Sequence, residues 1–237
     1  MMHFLTFAGK SSYDFGVRIS GEATYNSPER KFEEVEVAGR NGTLLFDEHA
    51  FKNITVTYPS FVITDMPQRV RDFVNYMNSF AGYQRLEDTY APDTFRLAQY
   101  KGGLSVESSG YMNRQGKFDI EFNCKPQRFL KSGELPQTFN ANGVLYNRTN
   151  YPSKPLIRVY GTGAGTVGVG SYLITISAID QYVDIDCELM DAYKGATNCN
   201  ANVSFNADDF NLKAGTNGIT FTGNITSVVI KPRTYIL

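Results

Sequence analysis

Apolar and charged residues alternate through Phe32–Val37, give way to Arg40-Asn41-Gly42, and are followed by the apolar run Leu44–Phe46. Period-two alternation places successive side chains on opposite faces of a strand. An Asn-Gly pair between such runs predicts a hairpin, because both residues tolerate the positive φ of a type I′ turn. The incoming arm carries Arg30, Lys31, Glu33, Glu34 and Glu36, with Arg40 at the tip beside Asn41 and Gly42. A long hairpin with so charged a face is expected to lie on something other than its own core.

The pattern then changes. FKNITVTYPSFVI reads as a strand, and Thr64-Asp65-Met66-Pro67 as a helix start, with Thr or Asp as N-cap and Pro in the first turn. Val70, Phe73, Val74, Met77 and Ala81 recur at helical spacing, and Gly82 stands where a helix would stop. Such a stripe is expected to pack on a sheet rather than to line a cofactor groove. Leu86–Asp93 is rich in turn formers, Phe95–Tyr100 and Lys117–Asn123 read as strands, and Cys124-Lys125-Pro126 is expected to close the second of them.

From Ser132 charge thins out and Gly, Asn and Thr rise. Short strands are predicted at Leu156–Tyr160, Ser171–Ile176, Tyr182–Cys187, Ala201–Phe205, Gly218–Phe221 and Ser227–Ile230. Short strands separated by polar turns, with no competing helix pattern, point to a β-sandwich of jelly-roll type. The boundary is placed at Lys131–Pro136, which divides the chain into residues 1–131 and 132–237. The expected class is all-β with one helix, built as two β-sandwich domains.

Composition supports that class, with 15 Tyr, 17 Phe and 21 Gly in 237 residues. The 23 basic and 24 acidic residues nearly cancel, which argues against a general nucleic-acid binder. The first ten residues lack the charged and apolar regions of a secretory signal, and no apolar run is long enough to span a bilayer. Cys124, Cys187 and Cys199 are odd in number and form no CxxC pair, so free thiols are expected. Five Asn-x-Ser/Thr patterns begin at Asn41, Asn53, Asn147, Asn202 and Asn224, and without a secretory route they carry little meaning.

Candidate chemistry is sparse. Gly163-Ala-Gly165-Thr-Val-Gly168 matches GxGxxG, yet β-patterned residues follow where a dinucleotide site needs a helix. It reads as a glycine-rich hairpin. Asp184, Asp186, Glu188 and Asp191 cluster, as do Asp208 and Asp209; Asp184 and Asp186 alternate with Val183, Ile185 and Cys187 and so read as the wet face of a strand. His3 and His49 are the sole histidines, and neither sits in a nucleophile motif. No catalytic, cofactor-binding or metal-binding residue is assigned. Tyrosines 151, 160, 172, 182 and 193 could offer a sugar platform, although tyrosines on sandwich strands usually fill cores or edges.

Several segments resemble one family. DFGV, SPER, VAGRNG, GYQRLEDTYAPDTFR, IDCELMDAY and GTNGITFTGNITSVVIKPR are similar, in order and spacing, to stretches of the distal tail (Dit) proteins of long-tailed phages (siphoviruses) of Gram-positive bacteria. The resemblance implies a tail-tube-like first domain with a flanking helix and a galectin-like second domain. It also implies a homohexameric ring at the tail tip of the virion, made in the host cytoplasm, with no catalysis, no cofactor and no membrane contact. Implied partners are the chain itself, the tail tube protein, the tail-tip protein and receptor-binding proteins, with DNA passing through the central channel. On that reading Arg30, Glu34, Glu36, Arg40, Asn41 and Gly42 are the candidate subunit-interface residues. Galectin sugar binding uses a His, Arg and Trp set, and the second domain has no His and no Trp. A carbohydrate-binding module that contacts cell-wall polysaccharide through tyrosines is the alternative reading.

Overall fold

A computed structural model of the chain describes residues 2–21, 26–109, 114–206 and 209–237. Asp208, one half of the Asp208-Asp209 pair, lies outside them. The backbone divides into a first unit, Met1–Arg128 with Leu237, and a second unit, Phe129–Ile236. The fold is all-β, with a single α-helix among the described residues.

The first unit contains β1 (Leu5–Phe7), β2 (Lys10–Ser11), β3 (Arg18–Ile19), β4 (Arg30–Glu36), β5 (Thr43–Phe51) and β6 (Ile54–Val62). Helix α1 (Met66–Asn78) follows, then β7 (Gln84–Asp88), β8 (Thr94–Tyr100), β9 (Glu107–Ser109) and β10 (Gln115–Leu130), which runs across the division between units. The main sheet has the order β2-β1-β7-β8-β10-β6-β3, with β9 beside β10. A nine-pair antiparallel ladder joins β6 to β10, from Ile54↔Cys124 to Val62↔Gly116. Alternation puts Ile54, Val56, Tyr58 and Val62 inward from β6, and Phe118, Ile120, Phe122 and Cys124 inward from β10. Met66, Phe73 and Met77 of α1 join that core and Val70 packs at its margin, so the helical stripe covers the sheet.

Four local expectations change. The helix ends at Asn78, before Gly82, because the Ser79 hydroxyl and N–H both donate to the Tyr76 carbonyl, at 2.7 and 3.1 Å. Asp65 is the N-cap, but its carboxylate makes no capping bond; it accepts from Arg114 Nη2 at 2.9 Å. Strand β10 continues through Pro126 to Leu130: its ladder to β6 has already ended at Cys124, so the missing proline N–H breaks no bond there. Part of the supposed turn region is strand β7, anchored by buried Leu86.

The second unit contains β11 (Gln137–Phe139), β12 (Gly143–Asn147), β13 (Leu156–Val169), β14 (Tyr172–Ile176) and β15 (Asp180–Asp186). After these come β16 (Asp191–Lys194), β17 (Thr197–Asn198), β18 (Val203–Phe205), β19 (Gly215–Lys231) and β20 (Tyr235–Ile236). Strands run in the order β11-β19-β13-β15-β16-β17, with β12 on β19, and β14 between β13 and β18. Strands β13 and β19 pair along most of their length. Ile157 and Val159 from one half of β13 share a core with Val167 and Val169 from the other, so the strand pair folds over itself into two layers.

Glycines permit that fold-over. The register shifts between Tyr160 and Gly165, where a Cβ on Gly161 would lie 2.3 Å from the Asn224 carbonyl oxygen. Gly223 has φ +74 and sits against Ala164, so the turn-like Gly223-Asn224 pair is a kink within one strand. The two strands expected at Gly218–Phe221 and Ser227–Ile230 are therefore both β19. The GxGxxG segment lies in β13 and leads through Gly170-Ser171 into β14; no helix follows it.

Candidate functional site

Strands β4 and β5 form a two-stranded sheet of their own and pair with no other strand among the described residues. Their register runs from Arg30↔Phe51 to Glu36↔Thr43, with a shift where Glu48 and His49 interrupt β5. At the base, Lys52 N–H donates to the Glu29 carbonyl at 2.8 Å and Lys52 Nζ meets Glu29 at 3.1 Å. Arg30 Nη2 lies 2.5 Å from Asp47 Oδ2, and this contact, with the His49 N–H, holds the Asp47 carboxyl below its usual range.

The tip differs from the two-residue turn the Asn-Gly pair predicts. Residues 37–42 form a longer loop in which Arg40 N–H donates to the Val37 carbonyl at 3.1 Å. Gly39 and Gly42 have positive φ and Asn41 does not, so a type I′ Asn-Gly turn is excluded. The extra loop residues move the turning point off Asn41.

Of the six interface candidates, Arg30, Glu34 and Glu36 lie on β4 at even spacings, four and then two positions apart, and share one face; Arg40, Asn41 and Gly42 lie in the loop. Arg30 is committed to Asp47, whereas Glu34 and Glu36 make no ion pair among the described residues. The hairpin's apolar residues are open on both faces. Phe32 and Leu45 share a face with the glutamates and are 50% and 64% exposed; Phe46, opposite Glu33 on the other face, is 57% exposed.

Elsewhere the charged residues serve the fold. Asp184 and Asp186 are buried, contrary to the wet-face reading. Arg158 meets Asp184 through two hydrogen bonds of 2.6 and 2.7 Å, directly across the β13–β15 ladder. Arg233 grips Asp186 in the same fashion at 2.8 and 2.9 Å. Burial alone would raise the Asp186 carboxyl, but the hydrogen bonds and charge of Arg233, with the Glu188 and Leu189 N–H groups, leave it below its usual value. Arg158 and Arg233, which complete these pairs, carried no local sequence signal.

The tyrosines proposed as a sugar platform are all half-buried. Tyr151 stacks on Tyr235, Tyr172 packs on Phe210, and Tyr182 lies near Tyr160 beneath the Arg158 guanidinium. The cysteines are free; burial pushes the Cys124 thiol up to about 12 and Cys187 further still, while Cys199 is half-buried. Among the described residues no His, Cys, Asp and Glu group could hold a metal, and no helix is long and apolar enough to cross a membrane.

The sequence matches no protein-family model and none of the curated proteins. Solved structures do match. SPP1 Dit, described as a paradigm of the hub adsorption apparatus in phages infecting Gram-positive bacteria, superposes with a TM-score of 0.72 at 13% identity, covering 100% of both chains. The chain has the Dit fold. A chain of the phage p2 baseplate, in its activated conformation with Sr, matches with a TM-score of 0.56 at 11% identity, covering 99% of each. The likeness to Dit thus includes both units and the helix, end to end.

Proposed function

We propose that this protein is a structural hub of a phage tail tip: a distal tail protein whose copies close into a homohexameric ring. The ring joins the tail tube to the tail-tip protein and the receptor-binding machinery, and its channel passes DNA. The end-to-end match to SPP1 Dit carries this reading, because it extends over the full length of both chains. A ring requires head-to-tail contacts between unlike surfaces of each copy. The β4–β5 hairpin suits that task, since it exposes apolar and charged side chains together and has no further partner strand among the described residues. Arg30, Glu34, Glu36, Arg40, Asn41 and Gly42 form the contacting arm, with complementary charge setting register more than affinity. Residues 1–131 form the ring and residues 132–237 an outer adaptor domain.

Light scattering across concentration, with negative-stain images of the same sample, tests the reading. Annular particles with the mass of six subunits, or twelve where rings stack, are expected. A monomer that also fails to join purified tail tube and tail-tip proteins would overturn it.

A further inference from the structure

In the first unit, Arg18 and Arg69 line one concavity of about 220 Å³ with Tyr13, Gly16, Ile63 and Thr64. Neither arginine makes an ion pair among the described residues, whose paired arginines are Arg30, Arg85, Arg114, Arg158 and Arg233. Arg69 Nε is buried without a hydrogen-bond partner. Gly16 makes room for that side chain: a Cβ there would stand 2.1 Å from Arg69 Nη1. The Arg18 guanidinium lies 5.9 Å from the Tyr13 ring centroid, and Tyr13 and Ile63, 50% and 44% exposed, supply apolar surface. Partly desolvated guanidinium groups sharing one concavity call for an anion, and a planar fork fits a carboxylate best.

The same chain carries the matching surface. Glu34 and Glu36 make no ion pair among the described residues, are exposed, and lie on one face of β4. Two positions along a strand separate them by about 6.6 Å. Leu45, directly opposite Glu34 and on that face, is 64% exposed. We propose that the Arg18–Arg69 concavity receives Glu34 and Glu36 from the hairpin of a second copy of this chain, with Leu45 covering Ile63 and Tyr13. The proposal rests on the self-assembly reading and gives it a receiving surface. It commits to a protein carboxylate, and through it to a head-to-tail contact.

Charge exchange in the full-length chain tests it. A cavity variant, Arg18→Glu with Arg69→Glu, and a hairpin variant, Glu34→Arg with Glu36→Arg, are each expected to associate at least about tenfold more weakly than the parent protein. Mixed one to one, they are expected to recover the parent mass, because each hairpin then meets a cavity of opposite charge. Glu33→Arg, on the other hairpin face, is expected to leave association unchanged. Full association of the cavity variant alone overturns the contact while leaving the hub reading intact. Loss in both variants without recovery on mixing also overturns it, whether the cause is misfolding or a contact within one chain. A parent protein that never self-associates, alone or with tail partners, removes the hub reading and this contact together.

Discussion

The β4–β5 hairpin and the β13–β19 pair are both long antiparallel ladders, and they use their alternation in opposite ways. In β13–β19 the inward row, Ile157, Val159, Val167, Val169, Ile219, Val228 and Ile230, is 0% exposed. In the hairpin Phe32, Val35, Leu45 and Phe46 are all at least 36% exposed. A two-stranded ribbon with no covering layer is marginal in water. The first ladder is therefore a source of stability, and the second is held within the chain by its base and by the Arg30–Asp47 pair. Alternation reports that a strand has two faces; it does not report which molecule covers them.

The sharpest way to break this contrast is Arg233→Ala. It leaves the Asp186 carboxylate buried without its cation, which is expected to cost about 3–5 kcal/mol of stability. Thermal unfolding measures the loss, and labelling of Cys187 ahead of Cys124 would locate it in the second unit. The pH dependence has a definite sign. A carboxyl held below its unfolded value contributes stability that is complete above about pH 4 and fades as pH falls through the lower folded value. Unfolding curves of the parent protein should therefore show a larger acid-induced loss below that pH than the variant's; parallel acid profiles would mean that the pair does not control it.

Gly161→Ala comes next, at about 2–3 kcal/mol, since the added Cβ meets the Asn224 carbonyl oxygen at 2.3 Å where the ladder folds over. An unchanged denaturant midpoint would show that the kink has slack. The smallest effect on stability is expected in the hairpin. Leu45→Ser with Phe46→Ser should stay within about 0.5 kcal/mol of the parent, because neither side chain is covered within the chain. The same variant should weaken assembly; a large fall in monomer stability instead would show that the ribbon supports the fold.

What could be read from the sequence follows how local each cause is. The α1 stripe through Phe73 and Met77 and the strand segments that bury Phe122 and Ile176 follow from spacing, because one buried face imposes one period. The hairpin strands were legible for the same reason. Its turn was not, since the six-residue loop displaced the Asn41-Gly42 signal from the turning point. Asp184 and Asp186 looked wet because polar residues on a strand normally are; their burial depends on Arg158 and Arg233, which lie 26 and 47 positions away. Strand β19 read as two pieces because Gly223-Asn224 has turn chemistry, and only the pairing with β13 shows that it bends without ending. The Arg18–Arg69 concavity gave no signal, because β3 and α1 meet there only after folding.

The exposed hairpin also bears on how such a chain diverges over generations. Residues that pack inside their own molecule are tested each time the chain folds, whereas on the proposed contact Glu34 and Leu45 are tested only when two copies meet. On the proposed contact, a lineage can change the hairpin freely if the residues at Arg18 and Arg69 change with it. Two lineages that have done so would keep the same backbone and lose the ability to build mixed rings, so incompatibility between related tails could begin at these few positions while the core still superposes.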